Sequence, residues 1–184
     1  MKGILSGFDI DKYKGIKPPK DNSLTTLKEL KEINGMRKDP SFVKDKDNQE
    51  SAFKKITKEK GLPFPKELVN ALIDESAPKI LKLKNYFKRP RPKHLAGSFG
   101  MKLDDIEMDS MKTPSYPSGH SVQGVLIGKA LGELYPQHKA EFEKEGKDIS
   151  MSRRVGRAHF KSDSDLGEKI GGDMFDYVKD KING

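Results

Sequence analysis

The stretch SYPSGHSVQGVLIGKALGEL, residues 115–134, decides how the rest of the chain is read. Pro114 and Pro117 stiffen its approach, and Ser118 stands where a helix N-cap would. From Gly119 onward Val122, Val125, Leu126, Ala130 and Leu131 recur at helical spacing, so a helix is expected over about 119–135. That helix carries Gly124, Gly128 and Gly132, four residues apart. Each helical glycine costs up to about 1 kcal/mol against alanine, so a row of them needs a reason. Close approach of a second helix backbone supplies one. Gly167 and Gly171 repeat the spacing further on, as if two glycine-bearing helices meet.

The remaining punctuation is also helical. Ser23 is a candidate N-cap and Gly35 a stop for a helix between them, residues 36–47 read as a loop, and a further helix spans about 48–60. Residues 63–87 read as two helices meeting near Pro78, the second ended by KRPRPKH, because residues before proline avoid the α region. Residues 93–118 read as mostly irregular, with later helices over about 138–146, 149–160 and 163–181. Strict alternation of β-branched residues is missing, so the expected fold is all-α, one domain over 1–184, with residues 1–22 irregular and the motif-bearing core over about 66–182.

Composition narrows the class. With 33% hydrophobic and 35% charged residues, and a mean hydropathy of −0.78, the chain suits helices with long solvated faces. It has no cysteine, which excludes disulfides and thiolate-ligated zinc. No apolar run approaches the roughly 18 residues of a membrane span. The opening MKGILSGFDIDKYKG is too weakly apolar for a secretory segment, so the expected compartment is the cytoplasm, or the periplasm if a signal peptide has been removed. The net charge of +8 favours an anionic partner, although most lysines, as in KKITKEK, sit among other polar residues as ordinary solubilising charges.

Three clusters carry chemistry. In KNYFKRPRP, Lys84 and Arg91 are seven apart, close to two helical turns, and the prolines around Arg91 would hold its guanidinium toward a phosphate. Alone the segment also reads as a basic helix end. In PSGH, Ser118 offers a hydroxyl, Gly119 permits close approach, and the first N–H groups of the helix point outward at an anion site beside His120. Alone this is also a plain serine cap. In SRRVGRAHFKSD, His159 and Asp163 are four apart, so the carboxylate can hold one imidazole nitrogen and orient the other. Arg153 lies six before His159, so the helix must break between them, and Gly156 is a candidate break.

Together, Lys-x6-Arg-Pro, Pro-Ser-Gly-His and Ser-Arg-x5-His-x3-Asp in this order resemble the type 2 phosphatidic acid phosphatase superfamily. The match falls on Lys84, Arg91, Pro92, Pro117, Ser118, Gly119, His120, Ser152, Arg153, His159 and Asp163. The SYPSGH block is most similar to soluble class A bacterial acid phosphatases. The resemblance spans residues 84 to about 172, and nothing in residues 1–75 tests it. Lys82 and Arg89 satisfy the first motif as well; the family's habit of using the second Arg-Pro favours Lys84 and Arg91. Arg157 occupies a position where the family often has glycine, and is expected to add a substrate contact. His94 and His138 match no motif.

The resemblance implies a helical bundle of the acid phosphatase and vanadium haloperoxidase type. It implies hydrolysis of phosphate monoesters without metal or cofactor, with vanadate as inhibitor. By analogy His159 is the nucleophile, Asp163 its orienting carboxylate and His120 the general acid. Lys84, Arg91, Ser118, the Gly119 N–H and Arg153 hold the oxygens. Small phosphorylated substrates such as nucleotides or sugar phosphates are the expected partners, with no membrane span and no specific nucleic acid; a homo-oligomer is left open. The rival reading is a vanadium-dependent haloperoxidase, in which vanadate is the cofactor and His159 its ligand. A basic nucleic-acid-binding protein would account for the charge but not for the ordered motif set.

Overall fold

A computed structural model describes residues 2–183 of the chain. Among them are eight α-helices and no strand, as expected of an all-α fold: α1 Leu24–Asn34, α2 Pro40–Asp45, α3 Gln49–Glu59, α4 Lys66–Phe87, α5 Pro92–Ser98, α6 Gly119–Leu134, α7 Lys139–Val155 and α8 Lys161–Ile182. Short 3₁₀ turns add Ile10–Tyr13, Asp109–Lys112 and Pro136–His138. The helix starts follow their caps. Ser23 accepts from Thr26 N at 3.2 Å and Asn48 from Ser51 N at 2.9 Å, each satisfying an N–H that has no intrahelical acceptor.

The middle of the molecule is α6, apolar on nearly all sides. Val122, Leu126, Ile127, Ala130 and Leu131 are fully buried in the main core, with α4, α7 and α8 packed around them. Its glycine row faces α7, where a Cβ at Gly128 would stand 2.6 Å from Phe142 O and one at Gly124 2.9 Å from Gly146 O. The pair on α8 faces α6: a Cβ at Gly167 would lie 2.7 Å from Ser118 O. Close approach is thus real, but the α6 row does not meet the α8 pair as the sequence suggested. Two separate seams converge on α6, which draws the ends bearing Arg153 and Asp163 toward its N-terminus.

Four expected boundaries move. α4 runs unbroken through Pro78. The proline is exposed, so the carbonyl it leaves free faces water, while Leu72, Ile80 and Leu83 on the other side hold the helix to the core. α7 is one helix where two were expected, because Gly146 is a crossing point and not a break. Asp39 caps a short helix, α2, inside the expected loop. Pro92 starts α5 in the segment expected to be mostly irregular. Residues 2–22 form turns and irregular chain around one 3₁₀ turn, as expected, yet Leu5, Phe8 and Tyr13 are buried in the main core, and Tyr13 Oη donates to Asp173 at 2.6 Å. A smaller core of Leu30, Leu95, Ala96, Leu103 and Phe160 ties α1 and α5 to the start of α8. Among the described residues no helix is long and apolar enough to cross a membrane.

Candidate active site

Three helix ends and one proline-rich strap build the site. α4 stops at Phe87, where Lys88 turns left-handed (φ 53°). Arg89–Arg91 then runs as an extended strap, tied by Ser115 N to Arg89 O at 2.8 Å, until Arg91 caps α5. The Tyr116–Pro117 bond that precedes α6 is cis. α7 ends at Gly156, and Arg157 supplies the break before His159 with φ 58°, a left-handed conformation more often taken by glycine. The break is therefore one residue later than the sequence suggested.

His159 and Asp163 are both buried, and His159 Nδ1 lies 3.0 Å from Asp163 Oδ2. Arg91 Nη1 lies 2.9 Å from His159 Nε2. A guanidinium can only donate, so Nε2 accepts and carries a lone pair, and the ring proton sits on Nδ1, donated to the carboxylate. Asp163 is held in turn by Arg89 Nη1 at 2.7 Å, by Phe160 N at 2.9 Å and by the Ser115 hydroxyl. Burial pushes the Asp163 carboxyl up; the Arg89 guanidinium and the Ser115 and Phe160 donors oppose it.

Lys84, Arg91, Gly119, His120 and His159 line one cavity of about 340 Å³. Its other wall is apolar, with Ile80 and Leu81 of α4. A larger cavity of about 610 Å³ also touches Arg91, but neither His120 nor His159 reaches it. The smaller one therefore holds both histidines. Lys84 Nζ donates to Pro114 O at 2.9 Å and Thr113 Oγ1 at 3.1 Å. Burial, then the neighbouring Arg91, brings Lys84 down to about 7. Burial, reinforced by Arg153 and opposed by Asp163, brings Arg91 down to about 10. Burial and then Arg91 and Lys84 hold His159 well below its ordinary range. The Lys84 and Arg91 cations disfavour each other's charge, and an anion beside them would restore it. The N–H groups of Gly119 and His120, at the first turn of α6, have no intrahelical acceptor and add to these donors. Among the described residues no three His, Asp or Glu side chains converge as a metal site would need.

Two expected anion ligands stand back from the cavity. Ser118 is fully buried and its Oγ serves the helix, accepting from Ser121 N at 3.2 Å and Ser121 Oγ at 2.9 Å. Arg153 lies behind Asp47, a residue between α2 and α3 that belongs to none of the three motifs. Arg153 Nη1 donates to Asp47 Oδ1 at 3.0 Å and Nη2 to Val43 O at 3.3 Å. The same Asp47 presents its carbonyl to His120 Nε2 at 2.6 Å, so that nitrogen carries a proton. Burial, then Arg153, brings His120 down to about 4, against the pull of the Asp47 carbonyl.

The two registers of the first motif separate cleanly at the lysines. Lys82 is 54% exposed and pairs with Asp11 across the surface, whereas Lys84 points inward. The arginines lie beyond the helix, so helical rotation does not separate them: Arg91 reaches the Nε2 side of His159 and Arg89 reaches the carboxylate behind it. Arg157 turns away from the cavity. Its Nη2 donates to Met36 O at 2.6 Å and Asn34 O at 3.2 Å, closing the end of α1, so the expected substrate contact is replaced by a helix cap. His94 is exposed, and His138 lies in a 3₁₀ turn outside the cavity.

No family model matches the chain. Part of it is similar to curated proteins. Over 88 residues it is 35% identical to a protein of Salmonella typhimurium named "Non-specific acid phosphatase", covering 48% of this chain and 35% of that one. It is 41% identical over 56 residues to an "Acid phosphatase" of Zymomonas mobilis, covering 30% of this chain and 21% of the relative. It is 29% identical over 115 residues to a "Non-specific acid phosphatase" of Providencia stuartii, covering 62% and 46%. The matched stretch spans about 35% of the length of the first curated relatives it matches.

Proposed function

We propose that the chain hydrolyses phosphate monoesters without a metal, through a phosphohistidine on His159. One observation carries the reading: His159 Nε2 accepts from Arg91 at the cavity wall while Nδ1 is tied to buried Asp163. A neutral imidazole with its lone pair aimed among cationic donors is a nucleophile aimed at an anion. The partial similarity to proteins named acid phosphatases supports it.

In the first step Arg91 Nη1 turns from His159 Nε2 to a phosphate oxygen, and the freed lone pair bonds to phosphorus as the bond to the ester oxygen breaks. His120 gives its proton to the departing alkoxide. Water then attacks phosphorus, the P–N bond breaks, and His120 takes the water's proton. Lys84, Arg91 and the Gly119 N–H hold the equatorial oxygens, on which charge develops. His120 must exchange the Asp47 carbonyl for the ester oxygen, and Arg153 must share its donors between Asp47 and phosphate. A bound dianion beside His120 favours its charged form and raises its pKa from about 4. Small phosphorylated alcohols fit a cavity of about 340 Å³.

Assay of a panel of phosphate esters, with and without chelator, tests the reading. Activity is expected to persist in chelator and to be inhibited competitively by vanadate. Activity lost with chelator and restored by a divalent ion would contradict it, and vanadate with peroxide and bromide giving turnover in halogenation would favour the haloperoxidase chemistry.

A further inference from the structure

We propose that Arg89 is a positioning residue for the His159–Asp163 pair, and that Glu29 of α1 holds Arg89 in place through Ser162. The proposal rests on the reading of His159 as the nucleophile. Arg89 is 1% exposed and lies outside the lining of the reactive cavity, so it does not reach the bound anion. Its Nη1 donates to Asp163 Oδ1 and to Ser162 Oγ, both at 2.7 Å, and its guanidinium carbon lies 3.9 Å from the centre of the Phe160 ring. Ser162 Oγ in turn donates to Glu29 Oε2 at 2.9 Å, and Ser162 N to Glu29 Oε1 at 2.6 Å. Glu29 Oε2 stands 3.6 Å from Arg89 Nη2. One carboxylate of the N-terminal region thus holds Ser162, the second partner of Arg89 Nη1, and so the arginine that faces Asp163.

The chemical need is specific. Nδ1 of His159 keeps its proton toward Asp163 only while that carboxyl is an acceptor, and only then does Nε2 present a lone pair. A fully buried carboxyl tends to take up a proton. The groups facing Asp163 are His159, Arg89, Ser115 and Phe160 N–H, with Lys84, Arg91 and Tyr116 at longer range. Among the described residues Arg89 is the one Lys or Arg that touches the carboxylate, and it does so through the oxygen that the imidazole does not use. A charge-assisted bond there keeps Asp163 ionised without competing for Nδ1.

The test follows the Asp163 carboxyl by NMR in the wild type and in Arg89→Gln, together with kcat, KM and the pH profile on a phosphate ester. Loss of Arg89 is expected to move the Asp163 midpoint upward by about one unit or more. The acid limb of kcat/KM should follow it upward, because a higher pH is then needed to ionise the carboxyl. Turnover should fall at least about tenfold with KM nearly unchanged. Arg89→Lys should restore part of both, and if Arg89→Gln does not fold, an upward move of the midpoint in Arg89→Lys carries the same reading. Arg89→Gln combined with Glu29→Gln should lose no more turnover than Arg89→Gln alone, since Glu29 acts through Arg89. An unmoved Asp163 midpoint, a raised KM with unchanged kcat, or additive losses would each overturn the proposal. The carboxyl titration needs no turnover, so a wild type inactive on every ester would sink the phosphatase reading while leaving Arg89's hold on Asp163 decided.

Discussion

Arg89 and Arg91 stand two residues apart in one proline-rich strap and face the two ends of the same imidazole–carboxylate pair. Arg91 donates where charge would develop, so Arg91→Ala should cost about 3 kcal/mol of transition-state stabilisation, the scale for one preorganised donor. Lys82, exposed and paired with Asp11, acts on the site only at long range through solvent, so Lys82→Ala should cost far less, and raising salt should erase that cost while leaving most of the Arg91 loss. Steady-state kinetics on both variants at two salt concentrations checks this. The lysine register was legible because both lysines lie on one helix, where two residues mean about 200° of rotation. The arginine register was not, because the helix ends between the lysines and the arginines. An extended strap sends both guanidinium groups inward, so the arginine of the alternative register becomes the partner of Asp163. Ser118 shows the opposite failure: its place before a helix said cap and anion ligand equally, and its hydroxyl is engaged as the cap. Asp47 carries no local signal at all, since its role depends on α2 and α3 being packed against the ends of α6 and α7.

At the scale of elements, the glycines of α8 separate packing from propensity. A Cβ at Gly171 would run into Val122 O of α6, whereas one at Gly172 meets nothing within 4 Å. Gly172→Ala should therefore stabilise the protein by roughly 0.5–1 kcal/mol, the helix propensity gain. Gly171→Ala, one residue earlier, should destabilise it by about 1–3 kcal/mol through overpacking. Thermal unfolding of the two variants checks the sign; equal gains in both would mean that the α6–α8 seam is looser than described. The periodic glycines were readable as a seam from sequence, but their partner was not, because spacing says that a backbone comes close and not whose. Pro78 and Gly146 were misread for a related reason. Propensity marks both as breaks, yet one faces water and the other a neighbouring helix, and tertiary packing overrides the local preference.

At the scale of the whole molecule, the site gathers groups whose charge burial disfavours, and on the proposed reading an anion relieves them. His120 has a folded-state pKa of about 4 against an ordinary 6.5, so between these values the unfolded chain binds the proton and the folded one does not. Its contribution to stability must therefore fall as pH drops from about 6.5 to about 4, with the penalty fully present below that. His120→Gln should lose this part of the pH dependence of Tm, and inorganic phosphate should raise the wild-type Tm by binding the folded state alone. An unchanged slope in His120→Gln would mean that the imidazole is solvated. The N-terminal region, silent in sequence, belongs to this arrangement through Glu29 behind Arg89 and Asp47 before Arg153 and His120, contacts that only the folded chain brings together. The most direct measurement of the central claim is a rapid acid-free quench during turnover of a phosphate ester, followed by mapping of the phosphorylated residue. A phosphoramidate on His159, stable to alkali, labile to acid and absent from His159→Ala, is the predicted result. A phosphoryl group on His120, or hydrolysis with no phosphoenzyme in a burst that exceeds one turnover, would contradict it.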